Sequence, residues 1–320
     1  MKKNRALICG ISGQDGSLLA DFLIKKNYQI FGTTRKLEIS NLKNLKTLKI
    51  EDKVKVFNIN YNDIKSIESL IKLTNPNEIY FLSGQSSVGL SFEDPIETFN
   101  SLTIGVMNFL EAIRISKKPI KFFHASSGDC FGNVGNNPSN ENSTLNPCSP
   151  YGVAKSSSHL LTKCYRDTYG IYASNGILYN HESELRPARF VTRKIISAAY
   201  RISKGSKDKL ELGDLNIMRD WGWAEEFVEA IWRMMQLKDP KDFVIATGEV
   251  NSLEDFVSYS FNSFGLNWHE HVISNDKLSR PNDIYWSQGN PAKAKEHLRW
   301  EAQFKMKNVI DKMINKYQGN

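Results

Sequence analysis

The stretch "RALICGISGQDGSLLADFL", residues 5–23, decides the fold. "RALICGI" is a nearly unbroken apolar run, the pattern of a strand buried on both faces. Gly10, Gly13 and Gly16 follow at GxxGxxG spacing, and "SLLADFLIKK" then has helical spacing. Glycines between a first strand and a first helix permit a tight turn and let a pyrophosphate approach the helix N-terminus. A plain turn uses glycine too, so the motif takes its weight from the strand–turn–helix setting. Gly10, Ser12, Gly13, Gln14, Asp15 and Gly16 are therefore the expected dinucleotide turn.

The pattern repeats downstream. "YQIFGTTRK", "KVKVFNI", "EIYFLSG", "IKFFHASS" and "YASNGILYN" read as strands. "DIKSIESLIKL", "TIGVMNFLEAIRIS" and "PYGVAKSSSHLLTKCYRDTY" read as the helices between them. Such alternation predicts an α/β fold, a Rossmann-type doubly wound parallel sheet. After about residue 180 the alternation loosens, although "WAEEFVEAIWRMMQL" still reads as helix, "DFVIATG" as strand and "DKMINKY" as a closing helix. The expected division is a dinucleotide-binding domain over 1–178, to which 220–250 returns. A smaller C-terminal α/β lobe over 179–219 and 251–320 would bind substrate.

The 320 residues suffice for two lobes, and 40% hydrophobic with 24% charged residues is ordinary for a globular protein. The net charge of +7 comes from scattered lysines rather than a dense block, which favours an anionic small molecule over nucleic acid. No 18-residue apolar run points to a membrane span. "MKKNRALICGISG" starts like a signal peptide, but "GISGQDGS" interrupts the apolar stretch, so a first strand is the better reading. Cys9, Cys130, Cys148 and Cys164 form no CxxC pair and no metal-type spacing, so no metal is expected and the cytoplasm is the simplest compartment.

An acid at the end of the second strand would suit the ribose 2′-hydroxyl of NAD. "GTTRK" instead offers Thr33, Thr34 and Arg35, which suit a 2′-phosphate and point to NADP; a solvated basic strand end is the bland alternative. Asp63, before Ile64, is either a helix N-cap, an adenine contact or both. "SPYGVAKSS" puts Tyr151 and Lys155 four apart on one helix face, and a lysine beside a phenol favours the phenolate. Such a tyrosine takes a hydroxyl proton while hydride leaves the same carbon.

These motifs, with "NEIYFLSGQSSVGLSFEDP", "NGILYNHES", "FVTRKI", "LGDLNIMRDWG" and "RPND", give the chain a near end-to-end resemblance to the GDP-mannose 4,6-dehydratase family of extended short-chain dehydrogenases/reductases. "NHES" followed by "FVTRKI" is more specific than the glycine motif or YxxxK. The resemblance implies conversion of GDP-mannose to GDP-4-keto-6-deoxy-mannose, with hydride leaving C4, a base removing the C5 proton, the C6 hydroxyl leaving as water, and hydride returning to C6. Family members read Ser/Thr-Ser-Glu after the fifth strand, and the glutamate is the base. Ser127, Gly128 and Asp129 match it here, with the acid one methylene short. Asp129 is thus either base or turn cap.

The resemblance further implies Leu82, Ser83, His181 and Arg186 beside the NADP. Gln85, Ser86 and Val88 would approach sugar and cofactor. Val191, Thr192 and Lys194 would meet guanine, with Leu212 and Gly213 in the same pocket. Asn180, Arg219 and Arg280 would meet the diphosphate, and Asp283 a ribose hydroxyl. The arm "TTRKLEISNLKNL" is shorter than the family's, which places a homodimer ahead of a tetramer. Two other readings share the fold, namely a GDP-hexose C4 epimerase or oxidoreductase, and a non-catalytic NADP-binding scaffold. Intact Ser127, Tyr151 and Lys155 argue against the scaffold.

Overall fold

The computed structural model describes residues 3–34, 42–278 and 280–318. Its centre is a sheet of seven parallel strands. β1 (Arg5–Cys9), β2 (Gln29–Thr34) and β3 (Val54–Asn58) form one side, and β4 (Glu78–Phe81), β5 (Lys121–Ser127), β6 (Ala173–Leu178) and β7 (Phe243–Ile245) the other. The order is β7-β6-β5-β4-β1-β2-β3, every neighbour parallel, and the order reverses between β1 and β4. Ligands of open parallel sheets bind at such a reversal, beyond the strands' carboxyl ends. The apolar strands bury both faces because helices cover both. α1 (Gln14–Lys25) packs on one side with α6 (Ala224–Met235). α2 (Ile64–Thr74), α3 (Gly105–Ser116) and α4 (Pro150–Tyr169) occupy the other.

The predicted elements appear with small differences. β7 supplies the sheet's edge after a long excursion, which periodicity alone does not show. The helix expected from Thr103 is α-helical only from Gly105, after a π-helical turn at Asn100–Ile104. The closing helix starts early, at Met306, and runs to Gln318. A separate apolar cluster lies beyond the sheet. It joins α5 (Val191–Ser203), α7 (Leu253–Asn262) and this final helix, α8, around Ile195, Trp221, Phe256 and Ile310. No helix among the described residues is long and apolar enough to cross a membrane.

Candidate active site

The glycine turn is compressed. Gly10 has φ +83°, and a Cβ on Gly16 would stand 2.2 Å from the Gly10 carbonyl oxygen. A Cβ on Gly10 would meet the Ser83 backbone at 3.0 Å, so β1 and β4 end back to back. No side chain caps α1, whose first N–H groups stay open to an incoming anion. Backbone close approach together with an uncapped helix start fits a dinucleotide pyrophosphate. Asp15, in that first turn, faces His181, Nε2 to Oδ2 being 2.9 Å. Burial would raise the Asp15 carboxyl, but the His181 charge and hydrogen bond, aided by Gln14 and Arg186, outweigh it and hold the group down to about 2. Burial likewise opposes the His181 charge, and Asp15 overcomes it, moving the imidazole upward. Gln14 completes the tie, donating to the His181 carbonyl at 3.1 Å and accepting from Ser183 at 2.8 Å.

At the second strand's end the Thr33 hydroxyl is buried against the Tyr61 hydroxyl at 2.6 Å. It therefore does not face a 2′-phosphate, contrary to the reading of "GTTRK". This strand lies inside the sheet with helices over both faces, so Thr33 and its neighbour Thr34 are both buried. Arg35 lies outside the described residues. Asp63 caps α2, accepting from the Lys65 amide at 3.1 Å, and Ile64 opens that helix.

Beyond the strand ends a cleft of about 430 Å³ brings most expected residues together. Asp15, Leu82, Ser86, Val88, Ser127, Asp129, Tyr151, Lys155, Asn180, His181 and Arg186 line it. So do Val191, Thr192, Lys194, Leu212, Gly213, Arg219, Arg280 and Asp283. Gln85 does not, because its amide bonds the Ser87 carbonyl at 2.7 Å and Thr98 at 3.1 Å, holding its own loop. Thr192 reaches the cleft with its hydroxyl spent on buried Glu182 at 2.7 Å. Glu182 also pairs with Arg186, Nε to Oε2 being 3.0 Å. Sequence reasoning missed Glu182, Arg189, Phe190 and Trp221, which line the same cleft. "HES" and "RPARF" contain three of them, but nothing in their spacing distinguishes them from neighbours.

Ser149 caps α4, accepting from the Gly152 amide at 3.0 Å, and aims the helix start at the β5 turn. Tyr151 and Lys155 are both buried. Lys155 does not spend its ammonium on the phenol. It donates to the Ala125 carbonyl at 2.6 Å, and Nζ lies 5.8 Å from the Tyr151 ring centre. Burial lowers Lys155 to about 8. Burial and then the Asp129 charge push the Tyr151 phenol up, with a Ser127 hydrogen bond opposing them. The expected lowering of the phenol is thus absent, because desolvation outweighs a cation whose hydrogen bond goes elsewhere.

Asp129 sits in a short 3-10 turn, Gly128–Cys130, and its amide donates to the Ser127 hydroxyl at 3.2 Å. Burial raises its carboxyl above the usual range, and Arg219 and Arg280 oppose the shift. A carboxyl with a raised pKa in a cleft is a candidate for proton transfer. Gly128 is required by packing. A Cβ there would lie 2.9 Å from the Tyr179 ring. Across the cleft Asp283 binds both arginines, Arg219 at 3.0 Å and Arg280 at 3.4 Å. These cations and the open α1 start are the cleft's anion-binding elements.

Tyr151 and Lys155, the Asp129 carboxyl and the arginines paired with Asp283 thus share one cleft on a doubly wound fold. The GDP-mannose 4,6-dehydratase family model matches residues 7–313. The chain belongs to the GDP-mannose 4,6-dehydratase family. GDP-mannose 4,6 dehydratase 2 of Arabidopsis thaliana is 38% identical over 97% of this chain and 86% of its own. Solved structures share the fold at lower identity. A dTDP-glucose 4,6-dehydratase from Bacillus anthracis, in complex with NAD, superposes with TM-score 0.86 at 19% identity, covering 99% of this chain and 97% of that one. The Pseudomonas aeruginosa protein RMD, complexed with NADPH, gives 0.80 at 18%, covering 99% and 98%.

Proposed function

We propose that the protein converts GDP-mannose to GDP-4-keto-6-deoxy-mannose with loss of one water. The observation that carries this reading is Asp129, a half-buried carboxyl raised in pKa, in the cleft with Tyr151, Ser127 and Lys155. NADP is the proposed cofactor, held on the Gly10–Gly16 turn with His181, Arg186, Leu82 and Ser83 beside it. The dinucleotide supplies reversible hydride transfer when bound. Tyr151 takes the O4 proton, with Ser127 bonded to the same oxygen and Lys155 fixing the phenol's surroundings. The C4 ketone then acidifies C5. Asp129 removes the C5 proton and delivers it to the departing C6 hydroxyl. Its raised pKa makes it a stronger base than an ordinary aspartate, which favours both acts. Arg219 and Arg280 exchange Asp283 for the diphosphate, leaving Asp283 to a ribose hydroxyl, while Val191, Thr192 and Lys194 meet guanine.

The proposed assembly is a homodimer through α4. Val153 and Leu160 stand exposed at seven-residue spacing, beside exposed Ile96 and Phe99 of a short helix packed on α4. The proposed compartment is the cytoplasm, where the four cysteines, free in this structure, stay reduced.

The test is GDP-mannose with sub-stoichiometric NADP or, separately, NAD, followed by mass spectrometry and absorbance of reduced cofactor. The expected product is lighter by one water, without net NADPH, and forms faster with NADP. Unchanged mass with C4 inverted, or stoichiometric NADPH, overturns the dehydratase reading in favour of an epimerase or oxidoreductase. Faster turnover with NAD overturns the cofactor choice alone.

A further inference from the structure

One buried histidine stands directly behind the turn that carries Asp129. His159 lies one helical turn beyond Lys155 on α4, so Tyr151, Lys155 and His159 share a face at i, i+4 and i+8. Its Nδ1 is 3.2 Å from the Ser126 hydroxyl, which lies 3.6 Å from the Cys130 sulfur. Burial lowers the His159 imidazole and favours its neutral form, and with Nε2 turned to Asp242 the tautomer protonated there leaves Nδ1 to accept from that hydroxyl. Its Nε2 faces Asp242 at 4.0 Å. Asp242 is itself held by two bonds from Arg166, at 2.6 and 2.9 Å, and by the Asn175 amide at 2.7 Å. His124 bonds Asn175 at 2.8 Å, and the Asn175 amide donates to the His159 carbonyl at 3.2 Å. The imidazole thus sits between Ser126 and Asp242, while its backbone carbonyl is held by the Asn175 side chain.

Consecutive strand residues point to opposite faces. Ser127 accepts from the Asp129 amide on one side, and Ser126 reaches Cys130 on the other. The two serines bracket the Gly128–Cys130 turn, and the Ser126 side connects it to the polar cluster around His159. We propose that His159 is a positioning residue which, through Ser126 and Cys130, fixes the Asp129 carboxylate for removal of the C5 proton. This inference rests on the dehydratase reading above. A carboxylate one methylene shorter than the family's glutamate has less reach to absorb a loose turn, so its backbone must be held more firmly.

The experiment compares wild type, His159→Phe, His159→Gln and Ser126→Ala with GDP-mannose and NADP. Stopped-flow absorbance reports C4 oxidation, and release of deuterium from C5-labelled substrate reports the Asp129 step. Wild type must first lose water, and if it does not, the functional reading fails rather than this one. His159→Phe and Ser126→Ala are expected to slow C5 release about tenfold. C4 oxidation and KM should stay within about twofold, so that reduced cofactor accumulates, and His159→Gln, which keeps an acceptor, should recover part of the loss. The proposal is overturned if C5 release is unchanged, or if both steps slow equally, as a general packing defect would cause. Should His159→Phe fail to fold, Ser126→Ala decides alone.

Discussion

Gly128→Ser, which restores the residue type found in the family's loop, should damage this protein. A Cβ at 128 would meet three carbons of the Tyr179 ring at 2.9, 3.0 and 3.1 Å, where ordinary contact begins at 3.4 Å. Something must therefore move by about half an ångström. The ring is buried and hemmed in, because a Cβ on Gly289 would stand 2.8 Å from its Cε2, so the ring lies against two glycines. The turn moves instead and takes Asp129 with it. Overpacking of this kind costs roughly 1–3 kcal/mol. In a chain of 320 residues that lowers Tm by about 1.5 °C per kcal/mol. Displacing the proton-transfer carboxylate by this distance should lower kcat about 10- to 100-fold, with KM for GDP-mannose little changed. Differential scanning fluorimetry and rates of water loss at saturating substrate measure both. Tyr179→Leu, which removes the opposing ring, should suppress the defect when combined with Gly128→Ser, giving a coupling of about 1 kcal/mol or more. Wild-type kcat and Tm in the single variant, or purely additive effects in the double, would refute the packing account.

The Asp15–His181 pair makes a signed prediction for pH. Asp15 is depressed when folded, so its contribution is present above its ordinary value near 3.8 and is lost as pH falls toward about 2. His181 is raised when folded, so its contribution is complete below its ordinary value near 6.5 and is lost as pH rises through the folded value. Urea denaturation should show wild type most favoured over Asp15→Asn between about pH 4 and 6.5, and a pH-independent difference would sink the ion-pair reading. Leu160→Asp, which puts a charge on the exposed α4 face, should convert a dimer to monomer in light scattering at micromolar concentration; an unchanged mass would place the interface elsewhere.

The succession of strands and helices was legible because apolar strands buried on both faces and helices with a 3.6-residue period leave strong local signals. The glycine turn, the YxxxK face and the serine–acid loop after "IKFF" were legible for the same reason, since each is set by residues close in sequence. Asp63 as a helix cap belongs with them. Other features depended on pairings across long sequence gaps. Thr33 read as a ligand group until Tyr61, 28 residues on, claimed its hydroxyl. Gln85 read as a substrate contact until Thr98 and its own loop claimed its amide.

The sequence by itself determined the doubly wound class, the cofactor turn and the family, because these rest on local pattern and on runs of shared motif. Only the tertiary structure decided how charge and packing are distributed in the cleft. It set Lys155 on the Ala125 carbonyl rather than the phenol, Asp283 between two arginines, and Asp129 on a turn held between the Tyr179 ring and the His159 cluster. Each depends on which groups lose water together when strands far apart in the chain are brought side by side, and desolvation has no signature in one dimension.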